Sequence, residues 1–460
     1  DSAIPVGGFP TATAYFQPRF GVAYDLTGHG NTVLRGGWGR FYYHTGQFTN
    51  GLETAAGEAV VTVTPSNLSP ATNLFASSLN SVPFTAALAA PSAVNRTDDS
   101  QPYTDSYSFT ISQRLTHSAL LDMGYVGNES HDLQNTAGAG SNINLVPAGA
   151  LLGQPNPASA NANNFRPYVG YGDINLATNN LYSNYNSLQV KLLYQHTHST
   201  VSLNYTFGKA LGIIAPSGTT LTALGATLDP FNLQNNYGVQ PGNRTHIFNA
   251  AYSFDLGNPL HRNKFVDGAL NGWQISGVVQ WESGANETYN SGGFNFNLQT
   301  GSAIIPGSIS AANPNGIAIT NQSILGTNAI QLNPILTCNP LANLKPNQYI
   351  NGSCFTLPTS VGENGPTLLP VAYGPAFFDA DLGIFKNFQI TESKKLQIRI
   401  QSYNFLNHPN WSFPSGTNNL TLDFAQNPTT GAITQTNPNF GITTGKQGNR
   451  IVELVAKFFF

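Results

Sequence analysis

Two carboxylates, Asp379 and Asp381, stand two residues apart in this chain of 460 residues. In an extended strand that spacing puts both on one face, where a carboxylate pair can move a proton or hold a cation. Lys395, Gln397 and Arg399 share the same spacing on the next candidate strand, so a polar wall with cross-strand pairing is the simpler expectation. His196 and His198 repeat the pattern, but no third ligand is near and a metal site needs more than two. They read as turn residues, and His44, His131, His246, His261 and His408 as scattered rim and loop residues. No Gly-x-Ser-x-Gly elbow, His-Glu-x-x-His pair or Gly-Lys-Ser/Thr loop occurs. Gly36-Gly37-Trp38-Gly39 lies in a strand pattern, where a bulge suits it better than a phosphate. No catalytic residue, metal or cofactor is expected. Cys338 and Cys354 are the two cysteines of the chain. An isolated pair in an Asn/Pro-rich stretch suits one disulfide formed in an oxidising compartment.

The elements that carry these residues are constrained by composition. Charged residues are 9% of the chain, 19 Lys+Arg against 22 Asp+Glu, with net charge −3. An ordinary soluble domain carries about 25%. No clustered positive excess exists for nucleic acid to bind. Aromatic residues at 11% and the small net charge also exclude a charge-rich disordered chain. The polar complement is neutral: 46 Gly, 29 Pro and about fifty Asn, all formers of turns and loops. No apolar run is long enough for a transmembrane helix. Low charge does suit strands with one face in lipid, where a charge costs roughly 2–4 kcal/mol at mid-membrane.

Eleven segments alternate with period two: 15–25, 32–43, 103–115, 119–128, 185–196, 200–211, 244–256, 272–283, 376–389, 395–408 and 448–460. Val201, Leu203, Tyr205 and Phe207 oppose Ser202, Asn204, Thr206 and Gly208. Leu396, Ile398 and Ile400 oppose Gln397, Arg399 and Gln401. Aromatics such as Tyr15, Phe16, Tyr24, Tyr42, Trp273 and Trp281 gather near segment ends, as in the girdles of a membrane barrel. Short and long connections alternate throughout. The short ones include Thr27–Asn31, His117-Ser118, Thr197-His198 and Thr391–Lys394; the long ones run from about thirty to about ninety residues. Compact domains rarely hold even one structureless loop beyond about 15 residues. Five at alternate connections fit an antiparallel transmembrane β-barrel with short periplasmic turns and long extracellular loops. By parity Asp379, Asp381, Gln397 and Arg399 then face the lumen. Arg40 shares the lipid face with Leu34 and Trp38, an oddity met by snorkelling or by a parity-switching bulge at Gly36–Gly39.

Several segments carry a family resemblance: PRFGVAYDLTGHGNTVLRGGWGRFYY (18–43), YSFTISQRL and LDMGYVGNESHDL (107–133), YNSLQVKLLYQ (185–195), LNYTFGKALG (203–212), NGWQISGVVQWESG (271–284), DADLGIFKNFQI (379–390), LQIRIQSYNFLNHPNW (396–411) and GNRIVELVAKFFF (448–460). In this order they resemble the C-terminal half of the barrel of TonB-dependent outer-membrane receptors, closest to the Oar-like type with an N-terminal carboxypeptidase-regulatory-like domain. The resemblance implies a non-enzymatic receptor in the outer membrane. It would import a scarce extracellular ligand (glycan, peptide or chelate) with the TonB complex as energy-coupling partner. It also implies that Leu454, Phe458 and Phe460 form the signal read by the barrel assembly machinery. A full barrel of this kind has about 22 strands, so residues 1–460 are expected to be the C-terminal portion, with the plug and N-terminal domain outside the chain and an unpaired edge at the first strand. The opening Asp1-Ser2-Ala3 suits a fragment. Tyr289, Phe294, Phe296 and Tyr349, on the longest and nearly uncharged loop, form an expected surface for a neutral, hydroxyl-rich ligand or a peptide. Two other readings fit the pattern: a structural or adhesive outer-membrane barrel, and a secreted all-β glycan-binding or glycan-cleaving protein.

Overall fold

A computed structural model describes residues 14–43, 90, 92–94, 100–135, 141–213, 229–240, 243–258, 264–286, 297–366, 372–391, 393–413 and 418–460. Eleven long strands form one antiparallel meander: β1 (Arg19–Asp25), β2 (Thr32–Tyr42), β3 (Tyr103–Thr116), β4 (Ala119–Asn135), β5 (Asn175–His196), β6 (Ser199–Ile213), β7 (His246–Asp255), β8 (Trp273–Glu282), β9 (Phe377–Gln389), β10 (Lys395–Tyr403) and β11 (Ile451–Phe459). Each pairs with its neighbours in sequence, so every alternating segment lies in one sheet. The short connections all fall at one end and the long ones at the other. β1 and β11 run in the same direction and form the two edges; they are not paired with each other among the described residues.

The register separates the two faces. One transverse row reads Val22, Gly36, Phe109, Tyr125, Leu188 and Phe207. Its large side chains are exposed. On the opposite face a row reads Asp122, Lys191, Asn204, Asn249, Gln280 and Asp379. A cavity of about 390 Å³ lies over Ser202, Ser253 and Gln401, and another of about 230 Å³ over Asp122 and Lys191. The polar face is therefore the concave one, and the apolar face curves outward.

The apolar outer face ends abruptly toward the long connections. There Arg40 lies opposite Asp105, and Asp105 opposite Glu129. A bulge does not account for Arg40: the β2 register runs unbroken from Thr32 to Tyr42. Its Nε and Nη2 donate to Asp105 at 2.8 and 2.7 Å, and the guanidinium lies 4.2 Å from the Tyr103 ring centre. A bidentate partner and an aromatic face replace the water that this charge gives up. β4 has 17 residues and β5 has 22. A spanning strand needs about 9–11, so this side of the wall rises well beyond the apolar band. Near the short-turn end Lys386 also lies on the outer face. It donates to the carbonyls of Ala269 and Asn271 and sits between the Trp273 and Phe388 rings, each 5.1 Å away.

The largest hydrophobic cluster among the described residues lies in the connections. Ile319, Ile324, Leu332, Ile350, Leu357, Leu422, Phe424 and Phe440 belong to it, drawn from the β8–β9 and β10–β11 connections. Val146 and Leu151 of the β4–β5 connection are equally inaccessible. The expectation of structureless loops is thus corrected for these three: their described parts fold together as a cap. Residues 297–299 pair in parallel with 421–423. Gly149 and Leu151 donate backbone N–H groups to Leu325 and Gly326, and the Thr327 hydroxyl donates to Val146 O at 2.6 Å. Few of these bonds repeat, so Asn side chains take the place of a ladder. Buried Asn437 donates to the carbonyls of Asn418 and Thr421 and accepts from Asn439 N–H. A short amide that can donate and accept satisfies irregular backbone where no neighbouring strand exists.

Candidate functional site

Where the cap meets the wall, a cavity of about 510 Å³ opens on the concave face. Its floor is Phe377, Asp379 and Asp381 of β9 with Tyr403 at the end of β10, and its rim is Asn410, Trp411 and Phe413. Two sequence segments meet to build it. The DADLG stretch supplies Asp381, whose Oδ1 accepts the Asn404 N–H at 2.9 Å. The NFLNHPNW stretch leaves the sheet at Asn404, which has φ +46°. Buried Asn404 then donates through Nδ2 to His408 O at 2.9 Å and Gly448 O at 2.6 Å, and accepts His408 N–H at 2.8 Å. Asn410 closes the turn by bracketing Phe378, accepting its N–H and donating to its C=O, both at 2.9 Å.

This geometry divides the carboxylate pair. Asp381 is committed to the turn, while Asp379 stands beside it on the cavity floor. Pairing with Arg399 or Lys395 does not form, because the register puts Arg399 opposite Phe385 and Lys395 opposite Gln389, several residues from Asp379. Arg399 instead donates to Gln397 at 2.6 Å and lies over the Phe385 ring, and Gln397 donates to Asn387 at 2.8 Å. All four residues lie on the concave face. Arg244, the cation lining the cavity, is engaged by Glu282 at 3.7 Å. The cavity thus offers an excess of carboxylate among aromatic walls, a surface that disfavours anions.

Cys338 and Cys354 are joined in a disulfide with Cα atoms 4.9 Å apart, and Cys354 is part of the cap core. Tyr349 packs against the same core, edge-on to Phe413 at 6.0 Å, and burial pushes its phenol above the usual range. Tyr289, Phe294 and Phe296 lie outside the described residues. His196 closes β5, with its ring 6.5 Å from Tyr194, and His198 sits in the two-residue turn after it. Leu454 and Phe458 project from the outer face of the β11 edge, Leu454 77% exposed, and Phe460 follows at the chain's end. Sequence reasoning missed Arg244, Asn404 and Trp411. Asn404 and Asn407 both take positive φ, and an Asn repeat closed by His-Pro was the available signal for such a turn.

A meander of eleven antiparallel strands with one apolar face, one polar face and alternating short and long connections is the wall of a membrane barrel. The family model for the outer membrane beta barrel domain matches residues 2–453. This chain belongs to that family. Its place is the outer membrane, with the apolar face toward lipid and the long connections outside the cell. No curated protein matches the chain in sequence. Solved structures similar to it include the outer membrane transporter YddB from Escherichia coli (11% identity, TM-score 0.39, 96% of this chain and 40% of that one). The FrpB iron transporter from Neisseria meningitidis is similar at 10% identity and TM-score 0.40, over 98% and 40%. The siderophore receptor PirA from Acinetobacter baumannii is similar at 9% and 0.38, over 96% and 40%. The barrel chain spans about 40% of the length of these three structures.

Proposed function

We propose that this chain is the C-terminal barrel portion of a TonB-dependent receptor of the Oar-like type, which captures an extracellular ligand and imports it. The observation that carries this reading is the cavity where the cap meets the wall. A barrel that only spans or adheres has no need of a folded cap whose wall attachment, the Asn404 turn, also builds a recess on the lumenal face. The recess holds Asp379, Asp381, Trp411 and an Arg244 already engaged by Glu282. It suits an uncharged, hydroxyl-bearing ligand better than an anionic chelate. In this reading Leu454, Phe458 and Phe460 serve recognition by the barrel assembly machinery, and the energy-coupling contact is made by upstream sequence.

The test is uptake by cells making the full-length protein, with and without a functional TonB complex. Radiolabelled maltoheptaose and a ferric catecholate serve as contrasting probes. Accumulation of the oligosaccharide that disappears without TonB supports the proposal. Equal accumulation in both strains, or uptake of the catecholate alone, overturns it.

A further inference from the structure

Five consecutive residues of the β4–β5 connection, Pro167 to Tyr171, are exposed. Tyr168 is 53%, Val169 74% and Tyr171 39% accessible. A tip bearing two aromatic rings and a valine in water is costly, and mobile loops avoid this by folding the rings inward. Here the support beneath the tip prevents that. Asn144 is fully buried and holds both ends of the turn: Nδ2 donates to the carbonyls of Tyr168, Tyr171 and Gly172 at 3.1, 3.2 and 2.8 Å, and Oδ1 accepts Tyr168 N–H at 2.7 Å. Arg166, with a side chain only 10% exposed, donates to Asn144 O at 2.6 Å and pairs with Asp173 at 2.9 Å. Asp173 also accepts from Asn142 at 2.7 Å. Gly170, at φ +89°, makes the reversal.

We propose that the Tyr168–Tyr171 tip is a preformed stacking site for a neutral glycan. Three observations select this partner. The two charges flanking the tip neutralise each other, and the segment from Ser141 to Asn175 carries no other. That leaves no cation for a phosphate, a lipid headgroup or a nucleic acid, and no charge to steer an ionic protein. The tip is four residues wide, far short of the roughly 800 Å² per partner of a stable protein interface. Two tyrosines separated by Val-Gly on a fixed backbone leave much of each aromatic ring in water. Sugar rings, with apolar C–H faces and equatorial hydroxyls, complement such rings, and the ordering entropy is already met by Asn144. The proposal rests on the reading of the cap as the ligand-facing end of the receptor and adds the class of ligand and the residues that meet it first.

The experiment uses the full-length protein in detergent and measures maltoheptaose and cellohexaose binding by titration calorimetry. The variants are Tyr168→Ala, Tyr171→Ala, Tyr168→Phe and Asn144→Ala. At least one glycan is expected to bind, with about tenfold or greater loss in each alanine variant at the tip and near wild-type binding in Tyr168→Phe, which keeps the ring. Asn144→Ala is expected to weaken binding while leaving the intact-protein melting temperature within a few degrees. Absence of binding by both glycans to the wild type, or alanine variants at the tip that bind like wild type, overturns the proposal. So does failure of nitration to reach Tyr168 and Tyr171 in the intact protein. Binding lost at the tip without TonB-dependent uptake leaves this proposal standing and sinks import. Uptake that is indifferent to the tip variants does the reverse.

Discussion

Asn404 offers a quantitative test of how the cap is fastened to the wall. Its side chain makes three hydrogen bonds at 2.6–2.9 Å in a site only 5% exposed. At about 1 kcal/mol net each, their loss in Asn404→Ala costs about 3 kcal/mol. The backbone adds to this, because φ is +46° and alanine there pays a left-handed penalty of about 1–2 kcal/mol. Asn404→Gly loses the same bonds but not that penalty, and costs about 0.5–1 kcal/mol in chain entropy. The alanine variant is therefore expected to lose about 4–5 kcal/mol and the glycine variant about 3.5–4 kcal/mol. Limited proteolysis in detergent, directed at the 404–413 turn, reads the local opening equilibrium. At 1.4 kcal/mol per tenfold, cleavage should rise about a thousandfold or more for alanine and several hundredfold for glycine. Cleavage of the alanine variant within tenfold of wild type, or a glycine variant more labile than alanine, refutes the assignment of the cap's anchorage to this side chain.

Replacing both Cys338 and Cys354 with Ser should lower the cap's resistance to opening by about 3 kcal/mol, seen as faster hydrogen exchange over 335–357 with β1–β7 unchanged. Asp105→Ala leaves the Arg40 charge without its bidentate partner; a loss of about 1–2 kcal/mol in urea unfolding is expected, discounted for partial exposure. The double replacement Arg40→Leu/Asp105→Leu should recover most of it, and a double variant less stable than the single one would contradict the pairing argument. In the β1–β2 turn the Gly30 amide, then the Thr27 and Gly28 groups, hold the Asp25 carboxyl below the usual carboxylate range. A depressed folded value means the support is present above the ordinary pKa and disappears as pH falls through the lower one. Protection of the Gly30 amide should therefore persist at the ordinary carboxylate pKa and disappear only at lower pH, and protection already lost above the ordinary value would contradict it.

The strands were legible because lipid enforces a period. Wherever one face must be apolar and the other wet, Leu188-Gln189-Val190-Lys191 cannot be read otherwise. The same reason explains the error at β4 and β5, which alternation places at 119–128 and 185–196. The strands continue to Asn135 and begin at Asn175. Above the apolar band the outer face carries Glu129, His131, Asn184 and Asn186, so the pattern stops while the hydrogen-bond ladder goes on. The cap was illegible for the opposite reason. Ile319, Ile324, Leu332 and Ile350 follow neither period, and their cohesion depends on contacts across different connections. At the site, parity alone could put Asp379 and Asp381 on one face. The separation of their roles depends on Asn404, whose conformation no periodicity encodes.

The location of the core has a consequence for how the molecule reaches its folded state. The bond from Thr327 to Val146 joins residues 181 apart, and that from Asn313 to Pro155 joins residues 158 apart. Such contacts form only after the intervening chain has been drawn together, which the strand meander does one neighbour at a time. The wall is thus a local, sequential structure, and the cap is a keystone set last, once β8 to β11 have brought its separated pieces within reach. Until the wall is complete, the residues of the cap core, drawn from separate connections, have no common core to join.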